Sequence, residues 1–350
     1  MGTTAAHGTG LRGCPRPLAQ AYDTAILDLD GVVYIGDDPV ADSPRHIAAA
    51  VAEGMTVAFV TNNASRRPDQ VAERLRRLGV PCADGDVVTS AQAAARLLAR
   101  RVPAGSRVLV VGGVGLAAAL AEHGLVAVSR LDEQPVAVVQ GFDPDVGWRL
   151  LAEGAAAVNA GLPWIASNTD VTLASARGPM PGNGLLVEVI ARTTGVRPEV
   201  AGKPQTPLFE ETLLRVGGRH PLVVGDRLDT DIEGGARCRA DSLLVMTGVT
   251  DVVTLAAAPP ARRPSYVADD LSGLLVPHPQ PRLAEGEARC GGWTARAVHS
   301  GARPRLHGEG EPIDALRALV ALCWARADGD AGRWSDDLVR AAWESALAGS

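Results

Sequence analysis

Two aspartates stand two residues apart at the end of an apolar run, in Ile26-Leu27-Asp28-Leu29-Asp30-Gly31. In an open parallel sheet, ligands bind beyond the carboxyl ends of the strands, so Asp28 is expected where a substrate would sit. Gly31 allows a sharp turn there. A second apolar run, Val57 to Val60, ends in Thr61-Asn62-Asn63. A hydroxyl, side-chain amides and backbone N–H groups are suited to phosphate oxygens, although such a turn can equally cap the next helix. A third run, Leu222 to Val224, ends in Gly225-Asp226, with Asp229 and Asp231 close behind. Acids there either complement a helix dipole or hold magnesium, which takes oxygen ligands and is satisfied by one or two carboxylates plus a substrate phosphate.

The fourth candidate comes from composition. Of the 34 basic residues, Lys203 in Ala201-Gly202-Lys203-Pro204 is the one lysine; the other 33 are arginine. An ammonium is a compact point charge, unlike a planar guanidinium, so a tight site that demands the smaller cation explains the exception. Two acids, a Thr/Asn turn, a cation and a metal-binding acid at strand ends or adjacent loops suit phosphoryl transfer, in which positioning and charge neutralisation supply most of the catalysis.

The elements that must position these residues alternate along the chain. Short β-branched runs, among them Thr24–Leu29, Thr56–Val60, Arg107–Val111, Val136–Gln140, Trp164–Ser167, Leu222–Val224 and Ser242–Met246, are separated by Ala/Leu/Arg segments of helical period. Near-continuous apolar strands indicate parallel sheets buried on both faces, and the alternation indicates a doubly wound α/β fold. The expected organisation is a loose extension over 1–20 and a Rossmann-like core from 21–81 and 201–276. An inserted α/β domain over 82–200 separates the two halves of that core, and a linker plus small α+β domain follows over 277–350. That last stretch holds four of the six tryptophans. Within it, strands are expected at Trp293–Val298 and Arg303–His307, and helices at Pro312–Ala325 and Ser335–Leu347.

The motifs, in this order, resemble those of the haloacid dehalogenase-like hydrolase superfamily: Asp28-Leu29-Asp30-Gly31, Thr61, Lys203, and Gly225-Asp226 through Asp231. The insert is similar to the α/β cap of the NagD-like subfamily, which includes phosphoglycolate, pyridoxal phosphate, nitrophenyl phosphate and glycerol phosphate phosphatases. Gly141-Phe142-Asp143, Asn168-Thr169-Asp170 and Pro181-Gly182-Asn183-Gly184 match that cap. The resemblance implies a Mg²⁺-dependent phosphatase. Asp28 would be the nucleophile, and Asp30 the acid and then the base. Thr61 and Lys203 would bind the phosphoryl group, with Asn62 and Asn63 contacting substrate. The Asp28 carboxylate, the Asp30 carbonyl and Asp226 would hold the metal, with Asp231 a ligand or an orienting group. The C-terminal stretch is similar to an acetyltransferase-like appendage of actinobacterial members of the subfamily, which makes glycerol 3-phosphate the first substrate expected. Phosphoglycolate, pyridoxal phosphate or a nucleotide comes second. Caps of the subfamily often dimerise, so a homodimer through the cap is one reading of the assembly.

Several other classes are disfavoured. The chain is 46% hydrophobic and 21% charged, with a formal net charge of −6, and has no basic stripe, so nucleic acid is not an expected partner. No apolar run reaches signal-peptide or membrane-spanning length, so a cytoplasmic protein without membrane insertion is expected. The five cysteines, Cys14, Cys82, Cys238, Cys290 and Cys323, are scattered and suit a reducing compartment. Two further patterns offer rival readings. Gly113-Val114-Gly115-Leu116-Ala117-Ala118, with Asp132 downstream, fits a dinucleotide-binding turn and thus an oxidoreductase. Arg305-Leu306-His307-Gly308-Glu309-Gly310 fits the loop of acetyl-CoA-binding transferases, but this stretch is short for that whole fold. Packing of its apolar helix faces against the rest of the chain is the preferred use.

Overall fold

The computed structural model describes residues 10–173, 178–298, 302–329 and 331–348. It is an α/β protein whose described residues form two compact units, one from within 10–35, 39–56 and 219–348 and the other from within 36–38 and 57–218. These units cut the chain at places other than the expected domain borders: the C-terminal stretch groups with the first unit, and residues 57–81 and 201–218 with the second.

In the first unit, four parallel strands lie in the order Tyr266–Ala268, Asp241–Val245, Pro221–Gly225, Thr24–Asp28. Ala25, Ile26 and Leu27 are buried, as are Leu222, Val223 and Val224, which is what double-sided burial demands of a parallel sheet. Leu27 pairs with Val224, so Asp28 and Gly225 come next along neighbouring strands. Register alone therefore brings the first and fourth motifs together.

The C-terminal residues add a four-stranded antiparallel sheet, Arg282–Ala284, Glu287–Cys290, Trp293–Val298 and Arg303–Gly308, and the helices Pro312–Asp328 and Asp336–Leu347. Ala288, Cys290, Trp293, Ala295 and Leu306 point inward by strand alternation. They share one apolar cluster with Leu319 and Trp324 of the long helix and with Ile232, Leu244 and Leu255 of the α/β part. Polar ties reinforce this. The Trp324 indole donates to the Leu255 carbonyl at 3.0 Å, and Arg263 makes two bonds to Asp328 at 2.5 and 2.7 Å. The appendage thus spends its apolar helix on the rest of its own chain. Of the pattern Arg305–Gly310, Arg305 to Gly308 lie in the last strand, paired with Trp293 to Arg296, and a Cβ at Gly308 would overlap the Gly292 carbonyl.

The loose extension expected over 1–20 is not what residues 10–20 form. Leu11, Cys14 and Leu18 are buried, Cys14 exchanges two backbone hydrogen bonds of 2.8 Å with His278, and Leu18–Ala21 is a helical turn. A Gly/Pro/Thr-rich segment reads as loose, but its few apolar side chains suffice to dock it. His278 itself is buried. Its Nε2–H donates to the Gly273 carbonyl at 2.7 Å, which leaves Nδ1 to accept from Arg317 at 3.2 Å. Burial and the nearby Arg317 charge, partly opposed by the Gly273 bond and by Asp314, lower its pKa to about 4. Because the folded value lies below the unfolded one near 6.5, stability from neutral His278 is present above that value and is lost as pH falls towards 4. Thermal unfolding followed from pH 7 to 4 should show a loss on the order of 3 kcal/mol from this residue, and His278→Gln should remove that part of the slope.

The second unit contains the parallel pair Thr56–Thr61 and Val87–Thr89, the first of these strands beginning in the other unit. It also contains a five-stranded parallel sheet in the order Glu199–Val200, Trp164–Ala166, Ala137–Gln140, Arg107–Val111, Val126–Val128. Helices Trp148–Asn159 and Asn183–Thr194 cover this sheet, burying Ala157, Val158, Val187 and Ile190 on Leu109, Val138 and Trp164. No helix among the described residues is long and apolar enough to cross a membrane, and all five cysteines are free.

Candidate active site

The carboxylates of Asp28, Asp226 and Asp231 have oxygens within 4.8 Å of one another. Asp226 and Asp231 are buried and Asp28 is half-buried. Each is placed by local backbone. Asp226 follows its strand directly, and its Oδ2 accepts the Val249 N–H at 2.7 Å while its carbonyl accepts the Thr250 hydroxyl at 2.6 Å. Asp231 does not open an α-helix: a wide π-turn runs over Leu228–Ile232, with the Ile232 N–H on the Arg227 carbonyl at 3.2 Å, and the α-helix covers only Glu233–Arg237. The wider turn carries the Asp231 carboxylate back to the Arg227 N–H at 3.1 Å, beside Asp226.

Glycine makes this packing feasible. A Cβ on Gly225 would fall within the Asp231 carboxylate, and one on Gly31, whose φ is +82°, would lie 2.6 Å from Asp226 Oδ2. Gly248 is tighter still, since its Cβ would overlap the Asp226 carboxylate. Three carboxylates held this close repel one another, and a hard divalent cation with oxygen preference is the species that fits the set. Asp30 is exposed and is not one of the three. Gly248 was not singled out in the sequence because its constraint comes from a carboxylate distant along the chain. Gly248→Ala should push Asp226 aside and weaken Mg²⁺ binding by about tenfold or more, read as the Mg²⁺ concentration for half-maximal activity or thermal shift.

The other motif residues gather in the second unit. Thr61 is buried, and its Oγ1 accepts the Asn63 N–H at 3.0 Å, leaving the hydroxyl proton to donate. Lys203 is 3% exposed. Asn62 was expected to contact substrate, but its side chain is spent on the protein: Oδ1 accepts the Lys203 N–H at 2.8 Å, and Nδ2 faces the Lys203 carbonyl at 3.2 Å and both Asp170 oxygens at 3.1 Å. It brackets the Lys203 backbone. Asn63 likewise holds its own turn, accepting from the Ser65 N–H at 2.9 Å and hydroxyl at 2.7 Å. The bracket is itself braced, for Ser90 and Asn168 both donate to the Asn62 carbonyl at 2.6 Å, and Asn183 donates to the Asn168 carbonyl at 2.6 Å. The sequence marked Asn168, Asp170 and Asn183 only as cap matches; their role in fixing Lys203 was not legible. Gly202 completes it, because a Cβ there would lie 2.5 Å from both Asn62 Oδ1 and the Ser167 carbonyl.

The dinucleotide pattern fails at the same level of detail. It does lie between the strand Arg107–Val111 and the helix Val114–Glu122. At Gly113, however, the position of a Cβ is filled by the Asp143 carboxylate, and at Gly115 by the Ala64 carbonyl. An acid and a backbone oxygen occupy the place a pyrophosphate would need.

Residues 25–126 match the model of the haloacid dehalogenase-like hydrolases, and residues 200–274 match a second model of HAD hydrolase-like domains. A D-glycerol 3-phosphate phosphatase of Mycobacterium tuberculosis is 41% identical over 319 residues, 89% of each chain. An acid sugar phosphatase of Staphylococcus aureus is 36% identical over 65% of this chain and 88% of its own. Among solved structures, a glycerol phosphate phosphatase of M. tuberculosis in complex with magnesium superposes with a TM-score of 0.81 at 39% identity, covering 94% of this chain and 98% of that one. A 4-nitrophenylphosphatase from Thermotoga maritima gives 0.69 at 29% identity, over 74% and 98% of the two chains. The two matched spans contain Asp28, Thr61, Lys203 and Asp226, and the chain belongs to the haloacid dehalogenase-like hydrolases, as a phosphatase of that superfamily.

Proposed function

We propose that the protein hydrolyses a small phosphate monoester, glycerol 3-phosphate first among candidates, through a phosphoryl group carried on Asp28. The observation that carries this reading is the carboxylate triad of Asp28 and Asp226, at the ends of paired parallel strands, with Asp231 from the turn that follows. Asp28, Asp226 and Asp231, with the Asp30 carbonyl, would hold Mg²⁺, which supplies charge neutralisation at the phosphoryl oxygens. In the first step an Asp28 carboxylate oxygen bonds to phosphorus, the bond to the alkoxide breaks, and Asp30 gives that alkoxide its proton. In the second step Asp30 takes a proton from water, the hydroxide oxygen bonds to phosphorus, and the bond to Asp28 breaks. Thr61 donates its hydroxyl proton and Lys203 its ammonium charge to the phosphoryl oxygens. Asn62 and Asn63 act by holding the turn that presents these two groups.

The same reading makes 21–81 and 201–276 the catalytic core and 82–200 a cap that encloses substrate. That favours a small organic phosphate over a phosphoprotein. Homodimerisation through the cap and a cytoplasmic setting belong to the proposal as well. Glycerol 3-phosphate is favoured by the M. tuberculosis relative, named a D-glycerol 3-phosphate phosphatase, which matches this chain over 89% of its length, a span too long to leave out the appendage. A phosphate-release screen should rank glycerol 3-phosphate above phosphoglycolate, pyridoxal phosphate and nucleoside monophosphates, with all release lost in EDTA and restored by Mg²⁺. Equal turnover of all of them would remove the substrate assignment, and undiminished release in EDTA would remove the metal.

A further inference from the structure

The inner face of the C-terminal antiparallel sheet packs on its own chain, and the outer face is a layer of arginine. In the strands Arg282–Ala284, Glu287–Cys290, Trp293–Val298 and Arg303–Gly308, the residues that alternate with buried Ala288, Cys290, Trp293, Ala295 and Leu306 are turned the other way. Among them are Arg282, Arg289, Arg296, Arg303 and Arg305, all exposed. The first four follow one another at intervals of seven residues, and the antiparallel register folds that spacing onto one surface. Arg282 is paired directly with Arg289, and Arg296 with Arg305. Among the described residues, the one acid on this face is Glu287. Glu285 and Glu309 lie outside it, in the first hairpin turn and beyond the last strand.

Solvent exposure alone does not account for this composition. The whole chain has 40 acidic to 34 basic residues, yet this face has five arginines to one glutamate, a formal charge of +4. Charged side chains on edge strands deter pairing between sheets, but either sign would serve for that. Like charges directly opposite across a strand pair are destabilising, and this sheet has two such pairs where an Arg–Glu pair would stabilise. A local rule broken twice on one surface points to a partner that supplies the missing charge.

Glu287 shows what the face can hold. Its Oε1 accepts from Arg289 Nε at 2.8 Å and Nη2 at 2.6 Å, and its Oε2 accepts from Arg296 Nε at 2.7 Å. One carboxylate is thus clasped between two strands by guanidinium forks. Arg282, Arg303 and Arg305 present the same group on the two outer strands. The face carries no aromatic side chain, since Trp293 points inward, and so lacks the stacking platform by which sheets bind single-stranded nucleic acid. It offers no leucine or aromatic to anchor in a bilayer either, for Leu283 pairs with inward-facing Ala288 and lies on the other side.

We propose that this outer face docks an acidic polypeptide segment, its carboxylates on Arg282, Arg303 and Arg305 in the way that Glu287 sits on Arg289 and Arg296. The test is fluorescence anisotropy of labelled poly-L-glutamate titrated with the full chain. Binding should be saturable at low ionic strength and weaken as salt is added, because the pairs formed are exposed. Arg282→Glu combined with Arg305→Glu should weaken it by about tenfold or more. The same two changes turn both like-charge pairs into opposite-charge pairs, so the melting temperature should stay unchanged or rise. Arg149→Glu, at an exposed arginine of the helix Trp148–Asn159, should leave binding as it was. Absence of binding, binding that survives the double substitution, an equal loss in Arg149→Glu, or a fall in melting temperature in the double variant would each overturn the proposal. Tighter binding to vesicles of anionic phospholipid or to an oligonucleotide than to poly-L-glutamate would also overturn it, and would assign the face to lipid or nucleic acid instead.

Discussion

Asp28→Asn should reduce turnover on the order of 10⁴-fold or more while the protein remains folded. The amide is nearly isosteric with the carboxylate and sits at the end of a strand whose preceding residues, Ala25 to Leu27, are buried and untouched by the change. What it lacks is the nucleophilic oxygen, so neither added substrate nor added Mg²⁺ should restore the rate. A second consequence distinguishes this from a generic active-site lesion. Asp28 lies within 4.8 Å of two buried carboxylates, so without metal the triad is a site of like-charge repulsion. Removing one charge should leave the melting temperature in EDTA unchanged or raised. The stabilisation gained on adding Mg²⁺ should shrink, because that gain measures preferential binding to the folded state. If the variant melts lower in EDTA and keeps the full Mg²⁺ shift, the triad is not a metal site.

Lys203→Arg is expected to be nearly as informative, because it keeps the charge and changes only its shape. Lys203 is 3% exposed, and its backbone is clamped on both sides by Asn62. A guanidinium is longer and planar, and a site that leaves the lysine 3% exposed has little room for it. A loss of about 10²- to 10³-fold in kcat is expected, comparable to losing one donor to the developing charge. Overpacking should add a fall in stability of roughly 1–3 kcal/mol. Normal kinetics in this variant would show that the chain's one lysine is not selected for its compactness.

How far the sequence could reach depends on where each constraint originates. The strand ends were legible because parallel strands buried on both faces must be apolar almost throughout, which makes a terminal Asp28, Thr61 or Asp226 conspicuous. Lys203 was legible by contrast with 33 arginines. The Val87–Thr89 strand was not, since three residues between an acidic turn and an alanine-rich helix carry no period of their own; pairing with Phe59 to Thr61 makes it a strand. The strands Arg282–Ala284 and Glu287–Cys290 were hidden for a similar reason. Their outer face is polar, the hairpin between them turns at Gly286 with φ +71°, and only Ala288 and Cys290 point inward. Asn62 illustrates the limit for site residues. Its type is suited equally to holding a phosphate and to holding a backbone, and the choice is made by Asp170 and Lys203, which are remote along the chain. Gly248 lies beyond that limit altogether, because it is defined by what approaches from elsewhere in the fold.

Phosphoryl transfer through Asp28 leaves an acyl phosphate that reduction can trap. Excess enzyme is mixed with glycerol 3-phosphate and Mg²⁺, quenched, treated with borohydride and mapped by mass spectrometry. An acyl phosphate is reduced to the alcohol, so homoserine is expected at position 28, dependent on both substrate and Mg²⁺. Rapid phosphate release with intact aspartate at position 28, or homoserine at another position, would contradict it.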